Sequence, residues 1–102
     1  MVPPISLISL ICNPSRYDDQ VVAFIGYVMI GSPVSAAFLS EADFRNGITK
    51  NAVALDVNPD EYLAANQRYA ILQGVFASPT SSWDWSGTLH TVTRVQSKQN
   101  PQ

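Results

Sequence analysis

The chain has 102 residues, enough for one domain with a modest core; 46 % are apolar and only 14 % charged, against about a quarter in an average protein. Its formal charge of −2 and the scatter of its six basic residues (Arg16, Arg45, Lys50, Arg68, Arg94, Lys98) disfavour general nucleic-acid binding, which draws on clustered cations. One cysteine, Cys12, excludes an internal disulfide, one histidine, His90, leaves no Cys/His metal set, and no apolar run reaches the ~18 residues of a membrane-spanning helix.

Met1 to Cys12 is apolar enough to suggest a secretion signal. It has no basic residue ahead of the apolar run, however, carries Pro3 and Pro4, and puts bulky Ile11 where a small residue should precede a cleavage site. It therefore reads as part of the fold, with a cytoplasmic location expected, and a periplasmic one if a signal peptide once preceded it. Apolar residues at 7, 8, 11 and 12 suit a two-turn helix on a sheet, bounded by Pro4 and Pro14, with Cys12 as a small buried apolar side chain. Residues 14–20 form a turn-rich approach to the first strand.

Gln20 to Gly31 is the longest strand signal: nine of its twelve residues are apolar, and β-branched or aromatic types recur from Val21 to Ile30. A strand of that length must bend, and Gly26 supplies the place. Residues 34–39 give a short second strand. Ser40 to Gly47 reads as a helical turn or two, capped by Ser40, favoured at its positive end by Glu41 and Asp43 and ended by Gly47. Residues 52–57 make a third strand. Asn58, Pro59 and Glu61 then start another helix, which runs through Tyr62 to Ala65. The fourth strand, Arg68 to Ala77, repeats the first with its own central Gly74. A Ser-, Pro- and Trp-rich loop covers Ser78 to Ser86. In the fifth strand, Gly87 to Gln96, Leu89, Thr91, Thr93 and Val95 alternate with His90, Val92 and Arg94. A polar tail, about 97–102, is expected to fray.

Three strands, a helix and two more strands is the chain order of an OB-type barrel. The expected fold is mainly β: a five-stranded, coiled OB-like barrel with an N-terminal helix and a helix between strands three and four, in a single domain over residues 1–102. Particular residues carry a further likeness. They are Ser6-Leu7-Ile8 with Leu10-Ile11 and Asn13-Pro14, Tyr17-Asp18 leading to Val22 and Gly26-Tyr27, Leu39-Ser40 with Asp43-Phe44, Gly47 to Ala52, and Gly74-Val75-Phe76. On these positions the chain resembles, nearly end to end, a family of small bacterial OB-like domains without settled function. The resemblance implies a stand-alone accessory or binding domain, some relatives of which look like partners of other bacterial proteins. It departs from the family pattern at Asp19-Gln20, where relatives tend to carry Gly and a basic residue. That departure removes positive charge at the mouth of the first strand.

Catalysis needs groups that converge with tuned pKa values. His90 reads as a half-exposed strand residue between a leucine and a threonine. The carboxylates have structural work: Asp18 and Asp19 in a turn, Glu41, Asp43, Asp60 and Glu61 at helix starts, and Asp56 at a strand end. No phosphate loop, nucleophile elbow or metal-ligand spacing occurs, so neither an enzyme nor a cofactor is expected. The candidate site is Trp83-Asp84-Trp85, in the loop between strands four and five, a loop that helps shape the ligand surface of OB domains. Either both rings close the barrel end as core, or they face outward, where tryptophan is over-represented at interface hot spots. With no basic residues beside them, a protein surface suits them better than nucleic-acid bases. The expected function is a non-catalytic protein-binding module, of accessory or immunity type, acting on another bacterial protein. Oligonucleotide or oligosaccharide binding on the OB face is the alternative, and a small hydrolase built on His90 a remoter one. The low charge density also fits self-association into a homodimer.

Overall fold

The structure, a computed structural model, describes residues 2–31, 34–79 and 85–97. Its strands are β1 (Gln20–Met29), β2 (Ser35–Phe38), β3 (Ala52–Leu55), β4 (Arg68–Ala77) and β5 (Thr88–Ser97). Its helices are α1 (Leu7–Cys12), α2 (Pro14–Tyr17), α3 (Glu41–Arg45) and α4 (Pro59–Tyr62), with 3-10 turns at Thr49–Asn51 and Leu63–Ala65. The strands close into a barrel in the order β1-β2-β3-β5-β4, antiparallel except for the β3–β5 seam. That closed order, with α4 between β3 and β4, is the OB arrangement expected from the sequence.

Closure depends on the two long strands. β1 pairs with β4 from Gln20 to Val28 along one edge and with β2 from Tyr27 to Met29 along the other. Gly26 lies where the second pairing begins, and a side chain there would crowd Ala37 Cβ at 3.1 Å and the Phe38 carbonyl at 3.2 Å. Gly74 allows β5 to cross β4 closely: a Cβ would stand 2.8 Å from the His90 carbonyl oxygen. The register passes there from Gln73–Arg94 to Val75–His90, so β5 carries two extra residues opposite Gly74. Such a bulge bends the strand and sharpens its twist, which a small barrel needs.

Inward residues of each strand meet in one core: Val22, Phe24 and Val28 of β1, Ala37 of β2, Val53 and Leu55 of β3, Leu72 and Phe76 of β4, and Leu89 of β5. Burying each large side chain contributes about 1.5–3 kcal/mol. Leu7 and Leu10 of α1 join this core, as do Ala65 and the partly buried Tyr62 from the α4 connection. The starts of α3 and α4 are those read from the sequence, and Ser6 caps α1 in the same way. Ser6 Oγ accepts from Ile8 N at 3.1 Å, Ser40 Oγ from Asp43 N at 3.2 Å, and Asn58 Oδ1 from Asp60 N at 3.1 Å.

Three local expectations are corrected. The buried stripe of α1 is Leu7, Leu10 and half-buried Ile11, whereas Ile8 and Cys12 are exposed. The helix is rotated by the segment before it: Ile5 N donates to Ala23 O at 2.8 Å, laying that segment along the open edge of β1. The stretch after Pro14 forms a helical turn, α2, because proline at the first helical position needs no partner for a missing N–H. In β5 the alternation fails between Leu89 and Val95. Thr91 and Thr93 are exposed, and Val92 packs against the core instead, because Thr91 takes a left-handed backbone (φ +49°) in the bulge.

Candidate functional site

The loop between β4 and β5 is fastened at both ends. At its start Asp18 Oδ1 accepts from Ser78 N at 2.8 Å and from the Ser78 hydroxyl at 3.1 Å, and these bonds hold the Asp18 carboxyl below its ordinary range. At its end Ser86 N donates to Ala52 O at 2.9 Å, and the Ser86 hydroxyl donates to the Lys50 carbonyl. Of the three candidate residues, Trp83 and Asp84 lie outside the described residues. Trp85 is half-buried, with its ring edge-on to Phe38 at 6.0 Å between centroids.

Phe38 belongs to a row of aromatic side chains on the outer face of the barrel. Cross-strand pairing places Tyr69 of β4 beside Tyr27 of β1, and Tyr27 beside Phe38 of β2. The Tyr27 and Tyr69 rings meet edge-on at 5.1 Å. α3 then lays Phe44 over the row, 5.5 Å from Tyr27 and 5.6 Å from Phe38. Edge-on aromatic pairs of this kind contribute about 0.5–1.5 kcal/mol each beyond their buried area. Polar groups hold α3 in place: Glu41 N donates to the Tyr69 hydroxyl at 3.1 Å, and Asn51 Nδ2 donates to Asp43 Oδ1 at 3.1 Å. Burial in this cluster, with the Glu41 charge adding to it, pushes the Tyr27 phenol up. Phe44 and Tyr62 both anchor their helices to the barrel.

This cluster occupies the β1–β2–β3 side, bordered by the loop between β4 and β5. In OB barrels the strand 2–3 face and that loop form the ligand surface. Here the surface is lined by small residues, Ala36, Ala52 and Ala54, and filled by Phe44 and Trp85. A second surface, not singled out from the sequence, runs along the outer face of the β1–β4 pair. There Val21, 53 % exposed, stands opposite Val75, and Ile25, 38 % exposed, opposite Ile71. The period of two along β1 carried that signal, but only the pairing partners show that two apolar pairs stand on this face, with Gln73 opposite Ala23 between them.

His90 is half-buried, with Nδ1 3.0 Å from the hydroxyl of adjacent Thr91. Among the described residues, no three His, Cys, Asp or Glu side chains come together as a metal set. Cations remain dispersed: Arg45 pairs with Glu41 at 2.5 Å, Arg94 bonds Gln96, Arg16 lies over the Tyr17 ring, and Lys98 lies outside the described residues. Among the described residues no helix is long and apolar enough to cross a membrane.

Fold and surface together define a small closed barrel of OB strand order whose usual ligand face is packed with its own aromatic residues. No family model, curated protein or solved structure matches the chain.

Proposed function

We propose that this chain is a non-catalytic binding module that recognises another protein through the barrel end formed by the loop between β4 and β5, with Trp83, Asp84 and the uncovered part of half-buried Trp85 as the contact residues. One observation carries the reading: the face on which OB barrels lay extended ligands is taken up by Phe44 and Trp85 packed on Tyr27 and Phe38. Stacking of bases needs open aromatic faces beside cations. A partner protein needs neither. The outer face of the β1–β4 pair, uncharged between Val21 and Ile25 and exposing both, is also better matched to protein than to phosphate. On the bacterial resemblance of the sequence, the partner is another bacterial protein and the role is of accessory or immunity type, in the cytoplasm or, if exported, the periplasm.

Oligonucleotide or oligosaccharide binding on the OB face is the second reading and rests on the strand order alone. A hydrolase would need His90 to meet a carboxylate, and its hydrogen-bond neighbour is Thr91. The test is affinity capture from the native host with wild type and the Trp83→Ala/Trp85→Ala double variant, alongside a salt titration of single-stranded DNA binding. The proposal expects one protein retained by wild type and lost by the variant, at a strength nearly independent of salt. Equal retention by both, or DNA binding that collapses as salt rises, overturns it.

A further inference from the structure

The sequence contains one Asn-Gly pair, Asn46-Gly47, and the fold places it, exposed, at the C-terminal end of α3. Glycine leaves its own backbone nitrogen unhindered, and that nitrogen is the nucleophile that can close a five-membered ring on the preceding asparagine amide. The native geometry holds this reaction back in three ways. Asn46 has ψ 1°, which turns the Gly47 nitrogen away from the Asn46 side chain. The Gly47 N–H donates to Phe44 O at 3.2 Å. Asn46 Nδ2 donates to Ala42 O at 2.9 Å.

All three restraints belong to the last turn of α3, and α3 is short. It is held by the Ser40 cap, by the bond from Glu41 N to the Tyr69 hydroxyl and by Phe44 on the aromatic row. Local opening of so small an element takes far less free energy than unfolding the barrel. We propose that Asn46 is a deamidation site gated by α3, an inference independent of the binding role above. When the last turn opens, a base removes the Gly47 N–H proton and the nitrogen bonds to Asn46 Cγ. The Cγ–Nδ2 bond breaks and ammonia leaves. Water then opens the succinimide to aspartate or isoaspartate, with no change of oxidation state. The product puts an anion at the negative end of α3 and removes the bond to Ala42 O, loosening the helix that covers Tyr27 and Phe38.

The test holds the full chain at mildly alkaline pH and follows position 46 by peptide mapping in wild type, in Ser40→Ala and in Asn46→Gln. Wild type converts at 46, with isoaspartate among the products, and Asn46→Gln does not convert on that timescale. Loss of the Ser40 cap speeds conversion about fivefold, the rate equivalent of a lost N-cap. The urea-unfolded wild type converts at least about tenfold faster than the native chain. Equal rates in folded and unfolded chain, no conversion in the unfolded chain, or a Ser40→Ala rate equal to wild type each overturn the proposal. If Ser40→Ala does not fold, wild type in a series of low urea concentrations decides: conversion rising more gently with urea than global unfolding supports gating by α3, and conversion tracking global unfolding refutes it.

Discussion

Replacing Gly74 by alanine tests the account of barrel closure. An added methyl would stand 2.8 Å from the His90 carbonyl oxygen, 3.0 Å from Leu89 Cγ and 3.2 Å from Val92 Cα. Two of these three atoms are backbone, and β4 cannot retreat because Gly74 pairs with Val22 on its other side. Overpacking of this kind costs about 1–3 kcal/mol, and alanine returns about 0.4–1 kcal/mol by restricting the unfolded chain. The net loss should be about 1–2 kcal/mol. Gly26→Ala is the control. Its nearest contacts, 3.1 Å to Ala37 Cβ and 3.2 Å to the Phe38 carbonyl, are looser and call for a shift of only a few tenths of an ångström, so its effect should stay within about 1 kcal/mol of zero. Equilibrium urea unfolding reads both: with a slope of about 1–3 kcal/mol/M, the Gly74→Ala midpoint should fall by roughly 0.5–1.5 M. Equal midpoints for the two variants, or a Gly74→Ala protein more stable than wild type, would refute the claim that close crossing of β4 and β5 selects glycine.

Two further expectations follow from the mouths of the long strands. Asp19 is held at φ +62° just before β1, with its N–H donated to Phe76 O at 2.7 Å, so Asp19→Gly should raise stability by up to about 1 kcal/mol in the same urea assay; a loss would show that its side chain, not its backbone, matters. The lowered pKa of Asp18 means that its bonds to Ser78 contribute stability above the ordinary carboxylate range and lose it as pH falls through the depressed folded value. Thermal melts should therefore show wild type losing ground to Asp18→Asn only below about pH 4, and a gap that persists unchanged at lower pH would count against the assignment.

Much of the fold was legible because its signals are local. Ser40 and Asn58 announced helix starts, each by the one hydrogen bond that a short polar side chain can make to the next turn. Gly26 and Gly74 marked the long strands because a missing Cβ is visible in the sequence whatever surrounds it. Cys12 was misplaced because a six-residue helix has too few apolar positions to fix its own rotation, which the Ile5 to Ala23 bond sets from outside. The fifth strand kept its length but not its faces, since the bulge opposite Gly74 is a property of two strands together. The sequence offered a candidate site only as Trp83-Asp84-Trp85, of which the structure describes Trp85. That Trp85 would lean on Phe38, and that α3 would cover the row from Tyr69 to Phe38, depended on residues far apart in the chain.

The sequence by itself determined the strand count, the helix between the third and fourth strands and the two glycine hinges, because periodicity, capping and the lack of a side chain act within a few residues. Only the tertiary structure decided which outward faces are covered and which stay open. Val21 and Tyr27 are both apolar residues on the outward side of one strand, yet Val21 is exposed and Tyr27 buried. The difference is the helix that comes to rest on one and not the other, and that is set by long-range packing rather than by either residue's neighbours in sequence.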